Sequence, residues 1–151
     1  MATHVIIGCV LSCVLVLTAT GVIADDRTAV EGTWLNGAGD GWIELRIDGE
    51  ELRGHISGSP DDPLNQKPSR LDASNPDESL RNRELRGLVI LSGFRYEDSG
   101  RWSGGRIYDP NSGNTYRGTI TLTDRNTLKL RGYIGVSLFG RTETWRRKAE
   151  P

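Results

Sequence analysis

The sequence is poor in the residues that bind metals or form covalent intermediates. Among 151 residues it has two cysteines, Cys9 and Cys13, and two histidines, His4 and His55. Beyond residue 24 only His55 remains, so a zinc site of Cys and His ligands and a cysteine nucleophile are excluded there. A disulfide is excluded as well, so this part of the chain must be stabilised by its own apolar core.

His55 alone could serve as the base of a Ser-His-Asp arrangement. It lies between Gly54 and Ile56, on the polar side of a predicted strand. We therefore expect it at the surface, whereas a catalytic base must reach its nucleophile in a pocket. The chain also lacks a Gly-x-Ser-x-Gly elbow and a phosphate-binding glycine loop. These absences predict no cofactor.

Paired carboxylates are the remaining catalytic candidates, because any two can meet in a folded chain. By alternation Glu44 and Glu143 are predicted to face outward. Asp72, Asp77 and Asp109 are predicted to lie in loops. Nothing in the sequence singles out a pair, so we assign no catalytic residue.

An excess of charge of one sign is also lacking. The chain has 19 Lys and Arg residues against 20 Asp and Glu residues, a formal net charge of −1. Domains that bind nucleic acid usually present a strongly basic face, because they neutralise phosphates. We therefore predict no nucleic-acid partner.

The first 24 residues predict a signal peptide. Residues 5–24 carry no charged side chain, and Val22 and Ala24 stand where signal peptidase requires small residues. Cleavage after Ala24 would leave one domain, residues 25–151, without a transmembrane segment. An uncleaved membrane anchor is the alternative, since about 20 apolar residues can span a bilayer.

The remaining sequence alternates apolar and polar residues at the period of β-strands. A stretch at 59–84 interrupts this pattern and holds four of the six prolines. It predicts a long loop excursion with a short helical turn near 76–83, and loops of this length are often functional or disordered. Eight strands are predicted, at 31–36, 42–47, 51–57, 86–94, 101–108, 114–122, 127–134 and 138–147.

One face of these strands is apolar and the other carries Arg and Thr, which predicts an apolar interior and a wet exterior. Eight short antiparallel strands in succession favour a small up-and-down β-barrel, because closure removes exposed edges. A β-sandwich or a half-open barrel is the alternative. Closure would join the first and last strands, so that Trp34 stacks with Arg141 or packs near Trp145.

The turn DPNSGN at 109–114 invites comparison with a calcium loop. An EF-hand loop has Gly at its sixth position and Glu at its twelfth. Here those positions hold Asn114 and Ile120, and the flanking segments are strands. We predict no metal site, and interpret Asp109 and Gly113 as residues that form the turn.

The aromatic residues beside this turn are candidates for binding. Trp102, Arg106 and Tyr108 share one strand face by alternation, and Tyr116 follows on the next strand. They could line the barrel mouth, with Arg106 as an anchor for an anion, or form an outer cluster that covers the barrel end. The candidate ligand-binding residues are Trp34, Trp102, Arg106, Tyr108, Asp109, Tyr116 and Arg141.

Several long motifs carry a resemblance to a known family. GTW (32–34), WSGGRIYDPNSGNTYRGTITL (102–122), TLKLRGYIG (127–135) and GRTETW (140–145) resemble a bacterial exported family catalogued as domain of unknown function 2147. The early Gly-x-Trp also resembles the lipocalin-like superfamily, in which it packs under a late Arg. The resemblance implies a small exported protein of Gram-negative bacteria, periplasmic or secreted, and implies no activity, cofactor or catalytic residue.

Three functional hypotheses follow. The first is a non-enzymatic barrel that binds a small apolar or lipid-like molecule, since small barrels can enclose a ligand. The second is a periplasmic protein-interaction or envelope-stress structural protein that docks through 59–84 or its outer aromatics. The third, a hydrolase using loop carboxylates such as Asp72 and Asp109, has the least support.

Overall fold

The protein is a closed antiparallel β-barrel. The computed structural model describes residues 26–135 and 140–149. The strands in these residues are β1 (Gly32–Leu35), β2 (Trp42–Asp48), β3 (Glu51–Gly58), β4 (Val89–Tyr96), β5 (Arg101–Asp109), β6 (Asn114–Asp124), β7 (Thr127–Tyr133) and β8 (Arg141–Arg147), with short 3-10 segments at η1 (Asp26–Val30) and η2 (Glu78–Leu80). Each strand pairs with its neighbours in sequence, and β1 pairs with β8. The predicted up-and-down barrel is confirmed, and the sandwich and half-open alternatives are not adopted.

Two sequence-based expectations fall on residues outside this description. The predicted signal peptide occupies 1–24, and the predicted start of the last strand lies at 138–139. Among the described residues, no helix has the length and apolar character needed to cross a bilayer.

The core comes from the apolar faces of the alternating strands. Trp34, Phe94 and Trp102 are its largest fully buried side chains. A Cβ atom on Gly105 would lie 2.2 Å from the Phe94 ring, so glycine lets that ring lie against the barrel wall. The other core residues are Val30, Ile43, Leu45, Leu52, Leu91, Ile120, Leu128, Leu130 and Trp145.

Arg147 closes one end of the barrel, which we call the base. Its guanidinium carbon lies 4.2 Å from the centroid of the Trp34 ring, an arrangement that favours a cation–π interaction. The same guanidinium donates hydrogen bonds of 2.6 Å to the carbonyl oxygens of Ala29, Glu31 and Arg125. Arg147 therefore ties η1, β1 and the β6–β7 turn to the last strand.

The prediction that Arg141 stacks on Trp34 is wrong. In the β1–β8 pairing Trp34 lies opposite Arg147. Arg141 is six residues earlier on β8, about 20 Å away at the usual rise of a strand. Several arginines occur on β8, and the register of the β1–β8 pair places the one nearest the base, Arg147, beside Trp34.

The prediction that Trp102 and Tyr108 share a strand face is also wrong. The β5–β6 register shifts between Trp102 and Gly105, and Gly104 has a φ of 72°. A β-bulge of this kind adds one residue to a strand and reverses the faces beyond it. Trp102 therefore points into the core, whereas Arg106 and Tyr108 point outward.

The excursion, residues 59–84, runs from β3 towards β4 and contains two isolated β-bridges and η2. Asp62, 7% exposed, organises its first part. The Asp62 carboxylate accepts hydrogen bonds of 2.9 Å from the backbone N–H groups of Gln66 and Lys67 and lies 3.4 Å from the Arg86 guanidinium. These contacts satisfy backbone donors that the interrupted sheet would otherwise leave unpaired.

Candidate functional site

A cavity of about 790 Å³ occupies the barrel end opposite the base, which we call the mouth. The β1–β2 loop, the excursion and the β5–β6 turn surround it. The large aliphatic side chains and the tryptophan that line it are Ile43, Ile56, Leu85, Ile90, Ile107, Leu130 and Trp145. A concave apolar space with a few polar groups is the usual form of a small-molecule site.

Two charged residues of β8 face this cavity. Leu130 and Gly132, on the inward face of β7, lie opposite Glu143 and Arg141 respectively. Both charged residues line the cavity. The prediction that Glu143 faces outward is therefore wrong, because it shares the inward face with the core residue Trp145. The open mouth keeps such a charge in contact with water, which lowers the cost of turning it inward.

The polar groups at the mouth differ in whether they already have partners. Within the described residues, Arg141 and Tyr116 make no hydrogen bond or ion pair with protein groups. Tyr116 lies opposite Ile107 across the inward face of β5 and β6. Glu143 accepts a hydrogen bond of 3.3 Å from the indole N–H of Trp145. The guanidinium and the phenol are thus two side-chain donors left to a ligand here.

The other charged residues at the rim are engaged in the loops themselves. The Lys67 ammonium lies 3.2 Å from a carboxylate oxygen of Asp61. Asp109 accepts hydrogen bonds from the Asn111 N–H at 3.0 Å and the Ser112 hydroxyl at 2.7 Å, as expected for a residue that forms a turn. Within 26–135 and 140–149, no group of three or more Asp, Glu, His or Cys side chains could hold a metal ion.

A buried carboxylate fastens the excursion to the outside of β5. Asp72 is fully buried. Its carboxylate accepts hydrogen bonds from the Tyr108 hydroxyl at 2.6 Å, the Asn75 amide at 2.8 Å and the Arg83 guanidinium at 2.8 Å. We call these four residues the latch. Because each oxygen of Asp72 is occupied, the carboxylate is structural and gives no support to its proposed role in hydrolysis.

The latch alters the ionisation of its members. Burial opposes the charge on Asp72, but the hydrogen bonds from Tyr108, Asn75 and Arg83 outweigh burial and hold the pKa of this carboxyl below its usual value. Burial raises the pKa of Tyr108, and its hydrogen bond to Asp72 raises that pKa further. The stable state is therefore a charged Asp72 beside a neutral Tyr108.

A second, smaller hollow of about 340 Å³ lies on the outer wall beside the latch. Tyr108, Asn75 and Arg83 form one side, and Arg106 forms another. The Arg83 guanidinium carbon lies 5.6 Å from the Tyr108 ring centroid. The remaining lining residues are Pro76, Val89, Ile90, Ser92, Gly113 and Thr115.

The seven candidate residues therefore separate into three groups. Trp34 and Trp102 are buried in the core and line neither hollow. Arg106 lines the outer hollow, and Tyr108 borders both. The residues that border the mouth cavity alone are Asp109, Tyr116 and Arg141.

Sequence reasoning missed Glu143 and the apolar cavity wall as functional candidates. Alternation in the sequence puts Ile43, Ile56 and Leu130 on the apolar faces of their strands, but it gives no measure of where the interior stops being filled. Gly132, which lies opposite Arg141, was a sign in the sequence that the interior is not completely filled here. A glycine on an inward face leaves space that its neighbours need not fill.

Comparisons with known proteins agree with this architecture. The family model described as "Uncharacterized protein conserved in bacteria (DUF2147)" matches residues 32–147. Protein HP1028 from Helicobacter pylori, described as belonging to the lipocalin family, has a TM-score of 0.70 and 22% identity over 80% of this chain and 83% of its own. An identity this low shows the shared fold alone. A redesigned β-barrel has a TM-score of 0.43 and 16% identity over 82% of this chain and 96% of its own. No curated protein matches the chain.

Proposed function

The chain belongs to the bacterial family DUF2147, and from this premise we propose that it is a non-enzymatic binder of a small, lipid-like molecule. Its lipocalin-like barrel is compatible with small-molecule binding. The observation that carries the proposal is the mouth cavity, whose volume of about 790 Å³ is within the range of drug-sized and cofactor-sized ligand sites.

The cavity suits a ligand with an apolar tail. Three isoleucines and a leucine supply its inner wall: Ile43, Ile56, Ile107 and Leu130. Each methylene group removed from water there contributes about 0.8 kcal/mol to binding. The base is filled by Trp34 and Arg147, so the tail points towards the base and the head remains at the mouth.

The head group is an anion, because Arg141 is a charged donor without a protein partner among the described residues. A guanidinium forms paired hydrogen bonds with a carboxylate or phosphate, and Tyr116 adds a hydroxyl donor. Glu143, two residues along the same inward face, carries the opposite charge and limits affinity for such a ligand. A fatty acid or a similar single-chain amphiphile fits these requirements.

Binding of a fluorescent fatty acid, such as a dansyl-labelled undecanoic acid, tests this assignment. Arg141→Gln should weaken binding by about 10- to 150-fold, since it removes a charge-assisted hydrogen bond worth about 1.5–3 kcal/mol. Glu143→Gln should strengthen binding, because it removes a negative charge that repels the anionic head group. Gly132→Leu should abolish binding by filling the cavity.

Arg46→Gln provides the control for these variants. Arg46 is an exposed residue of β2 whose guanidinium pairs with Glu44, and neither residue lines the cavity. Its substitution should leave probe affinity unchanged. If the purified protein binds no probe and carries no lipid detectable by mass spectrometry, the proposal is lost.

A second candidate function, docking of a periplasmic protein, has a separate observation in its favour. Three leucines of the excursion are exposed to solvent: Leu64 at 74%, Leu71 at 47% and Leu80 at 38%. Exposed leucines on one loop can contact a protein partner. A photo-crosslinker at position 64 should then trap one envelope protein, and the trapped band should disappear when Leu71→Glu is added.

We place this function in the periplasm or outside the cell. The charge-free stretch at 5–24 supports this location. Fractionation of cells that express the full chain, with mass measurement of the product, tests it. A mature protein that begins at Asp25 is expected in the envelope or the medium, and an intact chain in the cytoplasm would contradict it.

A further inference from the structure

The outer wall of the barrel divides into two halves of different charge. On β2 to β4 the outward charges are mixed and paired: Arg46 with Glu44, Arg53 with Asp48, and Arg95 with Glu50 and Glu51. The outward charged residues of β5 to β8, leaving aside strand ends, are Arg106, Arg117, Lys129, Arg131 and Arg146. The net charge of −1 therefore conceals a cationic half.

Two arginines of this cationic half lie directly opposite each other. Arg106 on β5 and Arg117 on β6 are register partners, and both are exposed. Like charges that face each other across two strands are destabilising. Among the residues that the structure describes, neither arginine has a hydrogen bond or an ion pair that would offset the repulsion. An external anion would offset it.

The outer hollow next to this pair is lined with hydrogen-bond donors. Arg106 forms one edge, and the hydroxyls of Ser92 and Thr115 lie on the same outward face of β4 and β6. Arg83 forms the far edge, where Asp72 holds its guanidinium through contacts of 2.8 Å. The latch thus fixes one donor in place and neutralises its charge. The uncompensated charge of +2 comes from Arg106, which lines the hollow, and from Arg117, its register partner beside the lining.

From this geometry we infer that the outer hollow is a binding site for a phosphoryl group. A phosphate monoester carries about −1.5 to −2 charges at pH 7, which matches the two unpaired arginines. The planar guanidinium groups can each bond phosphate oxygens in pairs, and the two hydroxyls can donate to a third oxygen. A carboxylate carries a single negative charge and would therefore offset only one of the two arginine charges.

This site is separate from the mouth cavity in both residues and chemistry. Arg106, Ser92 and Thr115 line the outer hollow and do not line the cavity. The inference therefore does not depend on the proposed lipid-like ligand. The phosphoryl group can belong to a soluble phosphate monoester or to a lipid headgroup, and both present the same group to the arginines.

Two binding measurements on the protein distinguish these sources. Titration with inorganic phosphate and with glycerol phosphate, followed by NMR shifts of the Gly104 and Thr115 amides, tests for a soluble ligand. Flotation with phosphatidylcholine vesicles that contain phosphatidic acid, against phosphatidylcholine alone, tests for a headgroup. Binding in either assay should weaken as salt increases, because charges at an exposed site are screened.

Substitution identifies the site. Arg106→Gln should weaken whichever binding is seen by about tenfold, and Arg106→Gln with Arg117→Gln should abolish it. The matched control is Arg53→Gln, which removes an outward arginine from the opposite, balanced half. All three positions are exposed, and near-ultraviolet circular dichroism confirms that the variants fold.

The outcomes separate clearly. Loss of phosphate binding in the double variant supports a site for soluble phosphate, and loss of vesicle binding alone supports a headgroup site. Absence of binding in both assays overturns the inference. Equal weakening by Arg53→Gln also overturns it, since a general effect of positive charge would then explain the binding.

Discussion

At the scale of single residues, Asp72 makes the stability of the protein depend on pH. Its folded-state pKa is lowered, so the folded protein favours the charged carboxylate more than the unfolded chain does. The ionised Asp72 carboxylate therefore contributes fully to the free energy of unfolding above the ordinary aspartate pKa of about 3.9. This contribution is lost as the pH falls through the lower folded-state pKa. Asp72→Asn should cost about 2–3 kcal/mol at pH 7.

Urea denaturation of both proteins at pH 7 and near pH 3 checks this prediction. The difference between the native chain and Asp72→Asn should shrink at the lower pH, because the unfolded chain then binds a proton at Asp72 that the folded protein does not bind. Asp48→Asn, at an exposed site paired with Arg53, should change the free energy of unfolding by less than about 0.5 kcal/mol. A difference that stays constant with pH would show that the latch does not depend on ionisation.

At the scale of elements, the bulge in β5 decides which side chains reach each hollow. Gly105 follows the bulge and faces the core, where an added Cβ would lie 2.2 Å from the Phe94 ring. Gly105→Ala should therefore lower the free energy of unfolding by about 3 kcal/mol, the upper end of the cost of overpacking. Chemical denaturation measures the change.

Gly132→Ala is the control for this element. An added Cβ there would lie 3.4 Å from the Ile107 side chain and 3.7 Å from the Tyr116 side chain, in the open part of the barrel. The expected change in the free energy of unfolding is less than about 1 kcal/mol. Equal losses for the two glycines would mean that the Phe94 ring can move aside.

At the scale of the whole molecule, Arg147 joins the two ends of the sheet. It links the base of β8 to η1 and to the β6–β7 turn, and it covers the Trp34 ring. Arg147→Met keeps much of the side chain's apolar contact but removes three hydrogen bonds to backbone carbonyls. We expect the free energy of unfolding to fall by about 3 kcal/mol, at about 1 kcal/mol for each bond. Conversely, an unchanged unfolding midpoint would show that strand pairing alone closes the barrel.

The closed barrel could be predicted from the sequence, because eight alternating segments leave no other way to remove both sheet edges. Whether an individual side chain points into or out of the barrel was less predictable than the barrel itself. One extra residue at Gly104 reversed the faces of Arg106 and Tyr108, and alternation carries no sign of such a shift except the paired glycines. Glu143 was predicted by alternation to face outward, whereas its register partner Leu130 places it on the inward face, where the interior opens to water.

The filled base has a consequence for how a ligand would be exchanged. Because Trp34 and Arg147 fill the base, a bound molecule and the molecule that replaces it would both have to pass through the mouth. The first must leave before the second can enter. The rate of replacement would then equal the dissociation rate of the resident molecule, and would not rise with the concentration of the incoming one.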